Sequence, residues 1–339
     1  MKAAVFREIG KKLSIEEVPE PEPGDGDLIV EVRACGICGS DLHISELSGA
    51  LPAGTIMGHE FAGEVVEVGA AARDDFKVGD RVCPLPYISC GRCAACLAGT
   101  FGQCQEIQSI GLGQLPGAYA ERIRVGARQT LHLPDSVSMR EGALVEPLSV
   151  GLHAVAQAKL EPGADVLVLG AGPIGLSTVL WARFLGARTV AVSEKVAARL
   201  ELAEEFGATC LIDASKQDVA ATFDEAAGHP PDAIFECVGV PGMLQECIAL
   251  APMKGRVVVA GVCMQSDILV PVLAILKEIS IHFVLGYSRQ EFQLTIDMLG
   301  KGRIRGEPML TDSIGLSELP EAFEALKQPT SQCKVVLEL

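Results

Sequence analysis

The sequence predicts a two-domain α/β protein in which a β-rich domain comes before a doubly wound parallel sheet covered by helices. Three observations lead to this prediction: the length of 339 residues, a change of pattern near residue 152, and six short apolar runs with long connections between them. At roughly 150 residues per domain, the length suits two domains. Parallel neighbours need a connection of about a dozen residues or more, which these separations supply.

The first 151 residues carry short runs rich in Val and Ile between Gly and Pro breakers. We predict strands at 28–32, 63–68 and 122–125, joined by long loops. This pattern is typical of a β-rich domain.

From residue 152 the pattern changes to alternating strand-like and helix-like segments. The predicted buried strands are 165–169, 189–193, 210–212, 233–237, 256–260 and 279–285, with a helix at 197–206 in one connection. After residue 286 too few residues remain for a third domain. We therefore expect the segment 287–339, which ends in a strand-like run at 334–337, to return to the first domain.

Charge and composition exclude several classes of function. The formal net charge of −16 repels phosphate backbones and anionic lipid surfaces, so we expect neither nucleic acid nor membrane as a partner. The apolar N-terminal run from Ala3 to Phe6 is too short for a secretory signal, and we expect the chain to begin as written. The uncharged stretch 166–182 is long enough for a membrane span, but its glycines and proline favour a strand, turn and helix.

The segment 170–175 matches the G-x-G-x-x-G pattern of dinucleotide-binding turns. Its residues are Gly170, Ala171, Gly172, Pro173, Ile174 and Gly175. The turn follows a predicted strand and opens a helical stretch at 176–184, the arrangement that binds a pyrophosphate at a helix N-terminus. Glu194 ends the next strand and can accept hydrogen bonds from the ribose hydroxyls, so we predict NAD rather than NADP.

Two positive residues, Lys195 and Arg199, follow Glu194 and weaken the preference for NAD; we count Arg199 among the candidate cofactor-binding residues. Two alternatives stay open at this point. The turn could serve the sheet without binding a nucleotide, and Glu194 could be a solvated acid at a helix start.

Four of the twelve cysteines lie within fifteen residues, which fits metal ligation in a reducing cytoplasm better than disulfides. They are Cys90, Cys93, Cys96 and Cys104. Four thiolates close a tetrahedron around one zinc ion and leave no position for substrate, so this site is predicted to be structural. Apart from Cys38, the remaining seven cysteines, at positions 35, 83, 210, 237, 247, 263 and 333, match no ligand spacing, and we expect most of them to pack as small hydrophobes.

A second set of candidate metal ligands is spread along the chain. Its members are Cys38, His59, Glu60 and Glu146. A catalytic zinc needs about three Cys, His or carboxylate ligands and one open position. On spacing alone, His59 and Glu60 could instead be a surface pair, and Glu146 could be a helix-start carboxylate.

Four motifs occur in an order and spacing that resemble the zinc-dependent alcohol dehydrogenases of the medium-chain dehydrogenase/reductase superfamily, over essentially the whole chain. They are CGICGSD (35–41), GHEFAGEVVEVG (58–69), the four-cysteine segment and GAGPIG (170–175). The resemblance implies a GroES-like catalytic domain at 1–151, a Rossmann NAD-binding domain at 152–286, and a tail at 287–339 that completes the first domain, with the active site in the cleft between them.

The resemblance also assigns roles to single residues. Cys38 and His59 take zinc-ligand positions, and Glu60 is similar to a glutamate that in relatives binds zinc or exchanges with its water. Glu146 lies in an EPL segment, as in sorbitol, butanediol and threonine dehydrogenases, which points to secondary alcohols such as diols and polyols. Ser40 and His43 match the family's proton relay, although Ser40 could be a cap and His43 a solvated surface residue.

These assignments predict reversible hydride transfer between a secondary alcohol and NAD, with two zinc ions per chain. Ile44 and Ser45 stand where polyol dehydrogenases tend to carry an aromatic pair, so a smaller diol or hydroxy ketone is as well supported as a sugar alcohol. The clustered cysteines favour a cytoplasmic location, and the resemblance implies a homotetramer, with a homodimer as the alternative. Two rival interpretations are an NAD-binding structural or regulatory protein of the same fold and a metal-free reductase of the same superfamily.

Overall fold

The structure is a computed structural model that describes residues 1–328 and 331–339. These residues form two compact units, Met1–Glu146 with Ser288–Leu339, and Pro147–Tyr287. The strands are β1 (Lys2–Phe6), β2 (Ser14–Glu17), β3 (Asp27–Gly36), β4 (Thr55–Ile56), β5 (Glu60–Val68), β6 (Arg81–Pro84), β7 (Tyr87–Ile88), β8 (Gln108–Ser109), β9 (Arg122–Gly126), β10 (Thr130–His132), β11 (Asp165–Leu169), β12 (Thr189–Glu194), β13 (Cys210–Asp213), β14 (Ala233–Glu236), β15 (Arg256–Val259), β16 (Ser280–Phe283), β17 (Leu310–Ile314) and β18 (Lys334–Glu338).

The helices connect these strands and are mostly short in the first unit. They are α1 (Gly39–Ile44), α2 (Ala94–Leu97), α3 (Met139–Ala143), α4 (Val145–Ala158), α5 (Pro173–Phe184), α6 (Ala197–Glu205), α7 (Val219–Ala227), α8 (Met243–Leu250), α9 (Pro271–Lys277), α10 (Arg289–Gly300) and α11 (Leu319–Leu326). Capping boxes begin α3 at Ser138 and α10 at Ser288, where a serine and a glutamate three residues later satisfy each other's backbone N–H groups. Among the described residues, no helix combines the length and the apolar character that a membrane crossing needs.

The first unit is built on a mostly antiparallel sheet with the strand order β10-β6-β5-β3-β18-β17, to which β9 adds by pairing with β3. The long strand β3 lies at its centre. Every second residue of β3 from Leu28 to Gly36 is buried, so one face of the strand is buried along its length. Strand β18, the end of the chain, lies between β3 and β17, so the C-terminal segment completes this sheet. A separate three-stranded sheet, β2-β1-β4, packs into the same apolar core.

The second unit contains a six-stranded parallel sheet with the order β13-β12-β11-β14-β15-β16. This is the doubly wound order, in which the winding reverses between β11 and β14. The predicted α/β class with a doubly wound parallel sheet is therefore confirmed. The predicted domain ends, at residues 151 and 286, stay predictions, and the compact units end at Glu146 and Tyr287.

One predicted buried strand differs from the structure. The run 279–285 was expected to be buried, but β16 covers only Ser280–Phe283, and Phe283 and Leu285 are 72% and 89% exposed. The physical reason is its place in the sheet: within the described residues β16 pairs with β15 on one side and ends the sheet on the other. An apolar run signals burial but cannot tell burial inside one chain from an exposed sheet edge.

Candidate metal and cofactor sites

Strand pairing brings the first set of predicted metal ligands together. In the antiparallel pair β3 and β5, Gly36 lies opposite Glu60. Cys38 follows the end of β3 as the N-cap of α1, and His59 precedes β5, so the two come to the same edge of the sheet. The ligand atoms of Cys38, His59 and Glu60 all lie within 4.8 Å of one another. A thiol, an imidazole and a carboxylate in that space fit the ligand set of zinc.

Glu60 is the most deeply buried member of this group, with 1% of its surface exposed. Its carboxylate needs the absence of a side chain at Gly36, because a Cβ there would lie 2.1 Å from Glu60 Oε2. Both carboxylate oxygens accept hydrogen bonds from the Nζ of Lys334, at 2.8 and 2.7 Å. The buried ammonium compensates a carboxylate that would otherwise be too costly to bury.

Glu146 is the predicted ligand that this 4.8 Å group does not include. It is half-buried in the first turn of α4 and is not one of the residues whose ligand atoms share the 4.8 Å cluster. Burial is the main cause of the raised pKa of the Cys83 thiol, and the charge of Glu146 is a second cause. Its role as a zinc ligand stays a prediction.

The two predicted relay residues have different surroundings. Ser40 Oγ lies 3.1 Å from Cys38 Sγ and 3.4 Å from His59 Nε2, directly beside two predicted ligands. His43 is exposed in the last turn of α1, and the described residues give it no hydrogen bond to Ser40. The structure therefore places the serine at the cluster and the histidine at the surface.

A buried carboxylate orients His59. Asp41, which is fully buried, lies with Oδ1 3.1 Å from His59 Nδ1. Because an ionised carboxylate only accepts, Nδ1 keeps its proton toward Asp41, and Nε2 is the nitrogen that would bind a metal on losing its own proton. Burial alone would lower the pKa of His59, but Asp41 and then Cys38 outweigh burial and raise this pKa well above its usual value. The same negative surroundings favour a bound cation.

The four-cysteine segment forms a second cluster within the first unit. Cys90, Cys93, Cys96 and Cys104 each contribute a sulfur to a group whose ligand atoms lie within 4.8 Å of one another. The Sγ–Sγ distances are 3.5 Å for Cys93–Cys96 and for Cys90–Cys104. A hydrogen bond from the backbone of Cys96 is the main reason that the pKa of Cys93 falls to about 6, which favours the thiolate that zinc requires.

The glycine-rich turn lies at the C-terminal end of β11, where the winding of the sheet reverses. Gly170 has a φ of +96°, which a residue with a side chain rarely adopts. A Cβ on Gly175 would lie 1.9 Å from the oxygen of Gly170, whereas a Cβ on Gly172 would meet no atom within 4 Å. Gly175 thus serves packing, and Gly172 leaves open space at the N-terminus of α5, where Pro173 is the first residue.

Glu194 holds this turn through its carboxylate. One oxygen accepts from the backbone N–H of Ala171 at 3.0 Å, and the other accepts from Lys195 and Val196 at 2.6 and 3.0 Å. Each carboxylate oxygen has two lone pairs, so acceptor capacity remains for a ribose. Lys195 is exposed, and Arg199 is half-buried in α6.

Sequence reasoning missed three residues around the metal cluster: Asp41, Tyr119 and Lys334. Asp41 carried a usable signal, an acid three residues after a candidate ligand at a helix start. Lys334 carried a weaker signal, a cation at the head of an apolar strand, with no indication of its partner. Tyr119 carried none.

Of the cysteines expected to pack as hydrophobes, Cys35, Cys83, Cys247 and Cys333 are buried, Cys210 and Cys237 are partly buried, and Cys263 is exposed.

Two family models match the chain. The alcohol dehydrogenase GroES-like domain matches residues 24–135, and the zinc-binding dehydrogenase model matches residues 173–301. Sorbitol dehydrogenase of Bacillus subtilis is 35% identical over 99% of this chain and 96% of its own length. The structure of 2R,3R-butanediol dehydrogenase of Bacillus subtilis aligns with a TM-score of 0.88 at 32% identity, over 100% of this chain and 99% of that one. A protein described as a zinc-binding dehydrogenase, from Sinorhizobium meliloti 1021 with NADP bound, aligns with a TM-score of 0.89 at 34% identity, over 100% and 99%.

Proposed function

The chain belongs to the zinc-dependent alcohol dehydrogenases of the medium-chain dehydrogenase/reductase superfamily, and from this premise we propose that it oxidises a small secondary alcohol, reversibly, with NAD as the hydride acceptor. The membership confirms the resemblance inferred from the motifs and the predicted class of zinc-dependent alcohol oxidoreductase. The choice of substrate, the preference for NAD, the zinc count and the assembly are our proposals.

The observation that carries the proposal is the cluster of Cys38, His59 and Glu60 with the Ser40 hydroxyl beside it. We assign Cys38 and His59 as zinc ligands, with Glu60 or Glu146 as the carboxylate ligand. One thiolate and one carboxylate would neutralise a divalent cation, while His59 adds no charge. Zinc, when bound, supplies the Lewis acidity that lowers the pKa of an alcohol hydroxyl.

The chain's own residues would then orient the reactants and move the proton. Ser40 is suited to relay the proton of the alcohol: its hydroxyl lies beside both predicted ligands and would take up that proton only as it donates its own to the next acceptor on the way to water. His43, exposed on the same helix, is suited to exchange protons with water. The nicotinamide cofactor is the hydride acceptor in this scheme.

We propose that the second zinc binds Cys90, Cys93, Cys96 and Cys104 and serves stability. Four sulfur ligands fill a tetrahedral site and leave no place for substrate. Clustered reduced thiols also support a cytoplasmic location, where disulfides are rare.

The preference for NAD over NADP rests on Glu194. Its carboxylate lies at the end of β12 against the glycine-rich turn, where a 2′-phosphate on the ribose would meet a negative charge. The positive charges of Lys195 and Arg199, which follow Glu194, oppose this preference because they would attract the same phosphate. One relative was solved with NADP bound, so the fold alone does not decide the cofactor and the two must be compared directly on this chain.

For substrate we propose a vicinal diol or the corresponding hydroxy ketone. Glu146 in its EPL segment supports the subgroup that contains the sorbitol and butanediol enzymes, and Ile44 and Ser45 after the relay histidine argue for a smaller molecule than a sugar alcohol.

A homo-oligomer is supported by an exposed apolar surface on α9 and β16. Ile275, Leu276 and Phe283 are 69%, 67% and 72% exposed, and β16 is an edge strand. Exposed apolar side chains of this size favour a contact that covers them, and a strand edge can pair with its own copy across a twofold axis. We propose a homotetramer built on such dimers. Light scattering tests this proposal: tetramers, or dimers as the alternative, support association, and a monomer at micromolar concentration contradicts it.

The activity is tested with a panel of diols, polyols and 3-hydroxy amino acids, assayed for NADH and NADPH formation by zinc-loaded protein. The proposal expects the highest kcat/KM for a small vicinal diol with NAD. Zinc content separates the rival interpretation of a structural or regulatory protein, because an enzyme should carry two ions per chain. One ion, with no reduced cofactor formed on any substrate, would contradict the proposal.

A further inference from the structure

We propose that Tyr119 is a positioning residue for the catalytic metal: its hydroxyl holds Asp41 in the orientation that fixes His59 with Nε2 toward the ion. The inference rests on the proposed function in one respect, that His59 is a metal ligand. It concerns a residue that no motif of the chain points to.

The hydrogen bonds form a continuous chain from Tyr119 to the predicted ligand. The Tyr119 hydroxyl donates to Asp41 Oδ2 at 2.7 Å, and His59 Nδ1 donates to Asp41 Oδ1 at 3.1 Å. Tyr119 and Asp41 have no exposed surface, and His59 has 8%. Water therefore has no access from which to replace the hydroxyl as a donor.

The hydroxyl is the main donor that keeps Oδ2 in place. The other donor to Oδ2, the backbone N–H of Cys38, is long at 3.4 Å. A buried carboxylate oxygen that loses a good donor is costly, and the group reorients to recover one. If Asp41 turns, Oδ1 leaves its position on His59 Nδ1, and the imidazole ring loses the contact that sets its tautomer and angle.

The ring of Tyr119 is itself held firmly. Its backbone N–H donates to Met57 O at 2.9 Å, and its carbonyl accepts from Ala4 N at 2.8 Å. The ring packs edge-to-face on Phe323, with centroids 6.4 Å apart. It also lies against Gly58, where a Cβ would come within 2.5 Å of the ring. A donor held from several sides is preorganised, which is what an outer contact of a metal site requires.

The hydroxyl also stays protonated. Burial, followed by the charge of Asp41, raises the pKa of Tyr119 well above its usual value. It therefore keeps its proton near neutral pH and donates it to Asp41. The alternative that the test separates is a purely structural role, in which the hydroxyl only satisfies a buried acid and supports the core.

The test compares Tyr119→Phe with wild type and with Ile123→Val, a conservative change in the same apolar core. Two quantities are measured on full-length protein: the visible absorption of Co²⁺ in place of the catalytic zinc, and the rate at which a chelator removes that metal. We expect Tyr119→Phe to alter the cobalt spectrum and to weaken retention of the catalytic metal about tenfold, the lower end of the loss for outer contacts of a ligating histidine. Ile123→Val should change neither quantity, and the four-cysteine site should keep its metal in both variants.

A double-mutant comparison shows whether Tyr119 acts through Asp41. Asp41→Asn should weaken metal retention by itself, and adding Tyr119→Phe to it should cost much less than in wild type. An unchanged cobalt spectrum and retention in Tyr119→Phe, equal changes in Ile123→Val, or fully additive losses would each overturn the inference while leaving the proposed function intact. Wild-type protein that binds no metal at Cys38 and His59 would overturn the proposed function, and this inference with it.

Discussion

Lys334 and Glu60 form a buried ion pair that joins strand β18 to the cluster of Cys38, His59 and Glu60. Lys334 Nζ donates to both oxygens of Glu60 and to the carbonyl of Ile37, at 2.8, 2.7 and 3.0 Å, so all three ammonium protons are used. The side chains are 2% and 1% exposed. Because Glu60 is already compensated, it offers a bound cation less net negative charge than an unpaired carboxylate would.

Removing the ammonium should unfold the first unit more easily. Lys334→Met leaves a buried, uncompensated carboxylate, and we expect a loss of roughly 3–5 kcal/mol in the free energy of unfolding. Urea denaturation measures it. Combining Lys334→Met with Glu60→Gln should recover part of the loss, since the charge is then absent. Wild-type stability in the single variant, or no recovery in the double variant, would contradict this account of the pair.

The two cysteine sets should respond differently to the same substitution. Cys38→Ser should abolish alcohol oxidation and keep the melting temperature close to wild type, because the cluster at Cys38 is assigned to catalysis. Cys90→Ser should lower the melting temperature first, because four thiolates are needed to close the structural site. Thermal unfolding and zinc analysis are measured on both variants. An equal loss of folding in the two would argue against the division of roles.

Two glycines of the cofactor turn make a matched pair. Gly172→Ala meets open space, so we expect an unchanged melting temperature but weaker binding of NAD, by about tenfold or more, because the methyl group occupies the approach of the pyrophosphate. Gly175→Ala places a Cβ 1.9 Å from Gly170 O and should destabilise the second unit. Calorimetry of NAD binding and thermal unfolding separate the two effects. Tight NAD binding by Gly172→Ala would contradict a pyrophosphate site here.

Stability should depend on pH through His229. Its Nδ1 lies 2.7 Å from the carbonyl of Pro230 and its Nε2 lies 2.8 Å from Asp165 Oδ2. The hydrogen bond to the carbonyl of Pro230 is the main cause of a raised pKa at His229, and the charge of Asp165 raises it further. A raised folded-state pKa means that protonation stabilises the fold, so the contribution is complete below the ordinary value of about 6.5 and is lost as the pH rises through the raised value.

His229→Gln is the corresponding test. The difference in unfolding free energy between wild type and this variant should be largest at acidic pH and should shrink as the pH rises above neutrality. A difference that is the same at every pH would mean that the imidazolium does not contribute.

The motifs allowed candidate sites to be predicted, because the candidate ligands and glycines lie close together along the chain or in recognisable segments. Strand positions could also be predicted from the sequence, and the predicted strand 165–169 matches β11 residue for residue. The sequence could not predict the exposed edge at Phe283 or the pairing of Lys334 with Glu60. Both depend on contacts between distant parts of the chain, and the pair is separated by 274 positions. The periodicity of a single segment carries no information on its partner.

The order in which the chain leaves the ribosome gives the position of β18 a further consequence. The second unit, Pro147–Tyr287, is one uninterrupted stretch and can fold as soon as it is synthesised. The sheet of the first unit must wait for its last residues, because β18 inserts between β3 and β17 and carries Lys334 to Glu60. A nascent chain that stops short of this strand therefore leaves Glu60 without its counter-charge, so the cluster of Cys38, His59 and Glu60 depends on a residue that is synthesised 274 positions after Glu60.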